Sequence, residues 1–175
     1  KIKELDLSKN TALTYLDCGW NRIAELDVSQ NTALEYLDCY GNRLTALDVS
    51  QNTLLTDLRC QMNELSTIDL SNNSGLLFLD VSSNPLTAWI DLSGLSSLKR
   101  LCCYWLGLTE LDVSMLPDLE YLECYHNQLT TIDLSQNPAL TWLSCDENQL
   151  TALDVSTKTG LTMLNCANNQ LTSLN

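Results

Sequence analysis

Apolar residues return along this chain on a fixed beat. Leu13, Leu34, Leu55, Leu76, Leu98, Leu119, Leu140 and Leu161 open eight units, spaced 21, 21, 21, 22, 21, 21 and 21 residues apart. The unit reads LxxLxCxxNxLTxLDVSxNxx; a half-copy over residues 1–12 precedes the first full one, and the last is cut short. Each unit also repeats within itself, because LxxLxCxxN is followed by LxxLDVSxN. Each half holds a short alternating segment, L-x-C or L-D-V, and alternation places every second side chain on one face of an extended strand. Helical periodicity is absent from both halves. The pattern predicts one domain over residues 1–175, a right-handed flattened coil with two short parallel strands per 21-residue repeat and almost no helix. No unit can bury its apolar side alone, so neighbouring coils must supply one another's core.

LxxLxCxxNxL resembles the leucine-rich repeat, and the 21-residue form with LDVS resembles the bacterial internalin-like repeats. The eight tandem copies carry this likeness across essentially all 175 residues. It implies a leucine-rich repeat solenoid, mostly β within the α/β horseshoe class. It also implies a bacterial surface or secreted location and a role in adhesion or partner binding. It does not name the ligand, because one scaffold hosts many partners. The family's helical N-terminal cap, C-terminal immunoglobulin-like module and wall anchor have no counterpart here. Because the chain also opens and closes mid-pattern, we expect a piece of a longer protein, whose bare terminal coils would favour end-to-end self-association.

Stacking turns each repeat place into a column. Cys18, Cys39, Cys60, Cys103, Cys124, Cys145 and Cys166 share one, with Val81 in the fourth unit. Valine there marks a small apolar requirement, and parallel Cβ vectors in a ladder give the wrong dihedral for a disulfide. Buried free thiols are therefore expected, with no metal. Asn21, Asn42, Asn63, Asn84, Asn127, Asn148 and Asn169 form a second column. An amide that donates and accepts suits the turn backbone of two coils at once. Asp6, Asp27, Asp48, Asp69, Asp91, Asp112, Asp133 and Asp154 face outward on the second half, each followed two residues on by serine. Asp-x-Ser can bond locally at a turn and offset the repulsion between stacked carboxylates. Calcium along this ladder is the sharper alternative, but a calcium site needs several oxygens converging on one ion. No other cofactor is expected.

With Leu and Cys of LxxLxC inward, the third, fifth and seventh places of the unit face solvent and the eighth lies at the rim. Ten of the eleven aromatic residues occupy the third, seventh or eighth places; only Trp89 lies elsewhere. Acids run between them. This face supplies the candidate partner-binding set: Tyr36, Tyr40, Phe78, Asp80, Tyr104, Trp105, Tyr121, Glu123, Tyr125 and Trp142. Aromatics give large contact area at low entropy cost, and charge tunes approach. A purely structural reading, in which third-place rings cover the sheet by packing along their column, competes with it. The second half presents Thr45, Thr87, Thr109, Thr130, Thr151 and Thr172 beside the aspartates, a monotony better suited to scaffold.

One stretch breaks the repeat. KRLCCYWLGLTELDVS, residues 99–114, joins the core Cys103 to Cys102 at the outward fifth place, sets Tyr104 and Trp105 together, and puts Leu106 where the ladder asparagine belongs. Nearby, the fourth unit has an extra residue close to Trp89, and Leu95 and Leu116 replace the second-half asparagine. A bend or bulge between residues 81 and 118 is expected, displaying an aromatic pair and one exposed thiol.

Charge narrows the functions. Nine basic against 22 acidic residues give a formal charge of −13, which repels nucleic acid and anionic membranes and favours a protein partner with a basic patch. No apolar run is long enough to enter a membrane directly. His126, the only histidine, has Glu123, Asp146 and Glu147 as plausible neighbours, but no nucleophile–base pair or phosphate-cradling loop appears, so an enzyme is not expected. Three functions stay open: a protein-binding module, a carbohydrate-binding module whose Tyr and Trp rows stack on sugar rings, and a passive spacer.

Overall fold

The computed structural model describes residues 1–175. Every unit contributes one three-residue strand at LxC: β1 Tyr15–Asp17, β2 Tyr36–Asp38, β3 Asp57–Arg59, β4 Phe78–Asp80, β5 Arg100–Cys102, β6 Tyr121–Glu123, β7 Trp142–Ser144 and, in the last unit, β9 Met163–Asn165. They form one eight-stranded sheet in the order β1-β2-β3-β4-β5-β6-β7-β9. All neighbours are parallel and in register, so Leu16, Leu37, Leu58, Leu79, Leu101 and Leu122 pair in line. No helix forms, and none is therefore long and apolar enough to cross a membrane.

The core lies inside the coils as one continuous cluster of leucine, valine, isoleucine and cysteine. Leu34, Leu55, Leu76, Leu98, Leu119 and Leu140 are fully buried, as are Cys39, Cys60, Cys103, Cys124 and Cys145, with Val81 filling the gap in that column. None of the eight cysteines forms a disulfide, and only Cys166 in the last coil is half-buried rather than buried.

The second half of the unit departs from a full second strand. Only β8 Ala152–Leu153 and β10 Ser173–Leu174 pair there. Elsewhere the coils are joined by single backbone bonds such as Arg43 N–H to Ile23 C=O at 2.9 Å. The asparagine column also bonds neighbouring coils: Asn42 Oδ1 accepts the N–H of Ile23 at 3.0 Å, Asn63 Oδ1 that of Leu44 at 3.0 Å, and Asn169 Oδ1 that of Leu150 at 2.9 Å beside the β8–β10 pair. Beyond it, Ser-x-Asn-x-x-Leu closes as two successive turns, with Asn31 N–H on Val28 C=O and Leu34 N–H on Asn31 C=O, both 3.0 Å.

The expected bend between residues 81 and 118 does not interrupt the sheet, because Phe78, Leu79 and Asp80 pair with Arg100, Leu101 and Cys102 without a shift. The irregularity stays on the second-half side. Trp89 packs half-buried against the core there. Leu106 offers Leu86 no side-chain acceptor of the kind Asn84 gives Leu65 at 3.1 Å.

Candidate functional site: the outer strand face

The outward face of the eight-stranded sheet is built from three columns. At the third place Tyr15 stacks on Tyr36 with centroids 4.3 Å apart, and Tyr121 on Trp142 at 5.3 Å. Parallel strands in register force this, since neighbouring coils lie ~4.8 Å apart and repeat the same side-chain direction. Between the two stacks the rings take arginines. The Arg59 guanidinium lies 4.6 Å from Phe78 and 5.3 Å from Tyr36, and Arg100 lies 5.8 Å from Tyr121.

At the fifth place the column runs Asp17, Asp38, Arg59, Asp80, Cys102, Glu123, Ser144 and Asn165. Its central members are less exposed than an outward place suggests. Asp80 is only 6% exposed and Cys102 5%. Burial, reinforced by the charge of Glu123, pushes the Asp80 carboxyl up to about 6, against the opposing pull of Ser82 and Arg59. Burial and then the charges of Asp80 and Glu123 drive the Cys102 thiol far above its usual range. Glu123 accepts the hydroxyl of Tyr121. Asp38 is also raised, chiefly by burial.

The rim is the seventh and eighth places. Tyr104 stacks on Tyr125 at 4.4 Å, Trp105 on His126 at 4.1 Å, and Trp20 meets Tyr40 edge-on at 4.9 Å. His126 Nε2 lies 2.8 Å from Glu147 Oε2. The whole eighth column is left-handed: Trp20, Met62, Ser83, Trp105, His126, Glu147 and Asn168 have φ between 52° and 56°, and Gly41 has 66°. Such a backbone costs a side-chain-bearing residue on the order of 1 kcal/mol, so two tryptophans and a histidine are presented at strained positions.

On the opposite side, each ladder aspartate from Asp6 to Asp154 accepts the N–H of the serine two residues on at 2.8–3.0 Å. These local bonds hold all eight carboxyls below the usual range. No group of three or more His, Cys, Asp or Glu side chains is arranged to hold a metal ion.

No protein-family model matches the chain, and no curated protein sequence matches it. Among solved structures, the functional domain of InlJ from Listeria monocytogenes, which includes a cysteine ladder, is 46% identical with a TM-score of 0.94. That match covers 99% of this chain and 38% of the other. The chain is an internalin-like leucine-rich repeat protein. A leucine-rich repeat protein of Leptospira interrogans is 30% identical, with a TM-score of 0.88, over 94% of this chain and 45% of its own. TLR13, solved in complex with ssRNA13, is 26% identical, with a TM-score of 0.75, over 97% of this chain and 26% of its own. The internalin-like chain thus spans less than half the length of each of these proteins.

Of the ten residues singled out from the sequence, the strands hold Tyr36, Phe78, Asp80, Tyr121, Glu123 and Trp142, and the rim holds Tyr40, against Trp20, with Tyr104, Trp105 and Tyr125. Asp80 faces outward as expected but is buried, between Arg59 and Cys102 of the neighbouring coils. The thiol expected to be exposed, Cys102, is buried between the longer Asp80 and Glu123, while Cys103 belongs to the core as predicted. Trp105 leans on His126. Sequence reasoning missed Arg59, Arg100 and His126 as members of the face. It also missed the left-handed column, whose signal was Gly41 and Asn168 recurring at one repeat place.

Proposed function

We propose that this chain is a protein-interaction module of a bacterial surface or secreted protein, gripping its partner through the aromatic-acidic strand face, the concave side in solenoids of this class. The observation that carries the reading is the tract of stacked rings on that face, Tyr104 on Tyr125 and Tyr121 on Trp142, interleaved with the acids Asp80 and Glu123. Large rings already ordered by their neighbours offer contact area with little entropy left to lose. The likeness to InlJ supports a bacterial, extracellular setting. The RNA seen with TLR13 is a poor guide, since a formal charge of −13 opposes a polyanion and favours a basic protein surface.

The test is retention of purified host and bacterial surface proteins on the immobilised chain. It compares wild type, Tyr104→Ala/Trp105→Ala and the opposite-side control Thr130→Ala/Thr151→Ala. Loss of retention by the first variant alone supports the reading. Equal recovery by all three overturns it, and retention that glycans compete away moves the function to carbohydrate binding.

A further inference from the structure

On the side away from the strands, a second set of asparagines laces the coils together. Asn31, Asn52, Asn73 and Asn137 are fully buried, and each donates through Nδ2 to two carbonyls of the coil before, at 2.8–3.1 Å. Leu95 and Leu116 hold that place in the two coils between Asn73 and Asn137. Both leucines join the core and carry no amide to reach back, so two successive junctions go unlaced. There the carbonyls of Leu70, Asn73, Leu92 and Leu95 keep only the bond within their own turn.

The surface changes at the same two junctions. Where Gln30, Gln51, Asn72 and Gln136 precede an asparagine, Gly94 and Met115 precede the leucines. A Cβ on Gly94 would meet nothing within 4 Å, and Met115 is 53% exposed. A cavity of about 300 Å³ lies at one junction, lined by Trp89, Ile90, Leu92 and Met115 with Asp91 and Asp112. The indole N–H of Trp89 is buried without an acceptor, the mark of a ring not placed for local bonding. A cavity of about 230 Å³ lies at the other junction and shares Asp91; Ile68, Leu70, Asp69 and Gly94 also line it. Asp69, Asp91 and Asp112 accept only local serine N–H groups, and neither ion pair of the chain involves them.

We propose that this notch is a second docking site, for a partner-protein segment that sets an apolar side chain against Trp89 and Met115 and an adjacent basic side chain between Asp69 and Asp91. It goes beyond the strand-face reading and does not depend on it. Charge complementarity names the basic residue: three unpaired carboxylates border the cavities, and the methylenes of a long cationic side chain suit the apolar lining of Ile68 and Leu70. The acids alone do not select the place, because the aspartate ladder runs the whole solenoid; the apolar break selects it. A cavity of about 300 Å³ is at the small end for a free ligand and suits one side chain held by a longer segment.

The probe is the capped tetrapeptide Gly-Leu-Lys-Gly, titrated into isotopically labelled chain and followed at the Met115 methyl and the Trp89 indole N–H. Capped Gly-Ser-Lys-Gly and Gly-Leu-Gln-Gly run in parallel. Localised shifts at both groups are expected with Gly-Leu-Lys-Gly, and at least about fivefold weaker binding of either control peptide. Gly94→Gln/Met115→Gln restores the residue that other coils carry and fills open space, so it should abolish the response while keeping the fold. Asp69→Asn/Asp91→Asn should weaken binding at least about fivefold, and Asp27→Asn/Asp48→Asn, the same charge removed from laced coils, less than about twofold. Equal weakening by the two aspartate pairs, or shifts spread along the whole ladder, means diffuse charge attraction and overturns the site. An equal response to the serine peptide removes the apolar cavity from the proposal, and no response to any peptide overturns it outright. Shifts at Met115 that depend on protein concentration without peptide would give the notch to a second copy of the chain and overturn the foreign partner. Gly94→Gln/Met115→Gln leaves the strand face intact, so retention of surface proteins tests that reading separately.

Discussion

Asn127 donates through Nδ2 to the carbonyl of Cys103 one coil back, at 2.9 Å. The same group reaches Cys124 in its own coil at 3.0 Å, and Oδ1 accepts the N–H groups of Leu106 and Leu108 at 3.2 and 3.0 Å. One amide thus satisfies buried backbone of two coils, and removing it strands donors and acceptors that water cannot reach. Asn127→Ala is expected to cost roughly 3 kcal/mol, since each stranded buried group costs about 1–3 kcal/mol. Denaturant unfolding measures this, and a loss under ~0.5 kcal/mol would deny the column its structural role.

Gly41 is the one glycine in the left-handed eighth column, and the ring of Trp20 lies over it. A Cβ added there would come within 2.9 Å of Trp20 Cε3, at a φ of 66°. Gly41→Ala should therefore destabilise by about 1–2 kcal/mol through backbone strain and also dislodge the indole. A red shift in tryptophan emission should accompany the lower melting temperature. An unchanged spectrum would mean the ring has room to move aside.

The eight thiols make a counting experiment. Burial raises the pKa of Cys18 to about 11 and of Cys145 to about 12, and the central cysteines rise as well. Thiolate is the reactive form, so native protein at neutral pH should expose no more than Cys166 to an alkylating reagent, against eight thiols after unfolding. Rapid labelling of Cys102 in the native state would contradict its burial beneath Asp80 and Glu123.

Two sets of carboxylates should act on stability in opposite directions. The Asp80 carboxyl is raised to about 6 by burial, so folding favours its protonated form. The stability tied to it is complete below the unfolded value and lost as pH rises through about 6. Asp80→Asn should therefore stabilise at pH 7 by up to ~3 kcal/mol and by almost nothing at pH 4. Asp69 is lowered by the Ser71 N–H and hydroxyl, so its contribution is present above the unfolded value and lost on acidification through the lowered one. Asp69→Asn should destabilise at pH 7 and lose its effect in acid. Melting curves across pH 3–8 check both, and parallel curves for the two variants would refute the opposition.

Much of this was legible in one chain because a tandem repeat writes its own alignment. Leu58, Cys39 and Asn42 each declare their environment through the residues 21 positions before and after. Val81 identified the cysteine column as a small apolar one, and the fully buried thiols follow from that. The second-half strands were overread, because L-D-V alternation records which side chains face inward and not whether neighbouring coils pair as strands, as only β8 and β10 do.

The sequence by itself determined the period, the inward columns and the side of the sheet on which each aromatic and acid stands, since all follow from which residues recur and which must avoid water. Only the tertiary structure decided what happens between columns: that Arg59 lies against the rings of Phe78 and Tyr36, that Asp80 and Cys102 are buried though outward, and that Trp105 rests on His126. Those outcomes depend on side-chain lengths in neighbouring coils ~4.8 Å apart. Repeat pattern records the direction of a side chain, and solvent access and pairing come from the reach of the residues beside it.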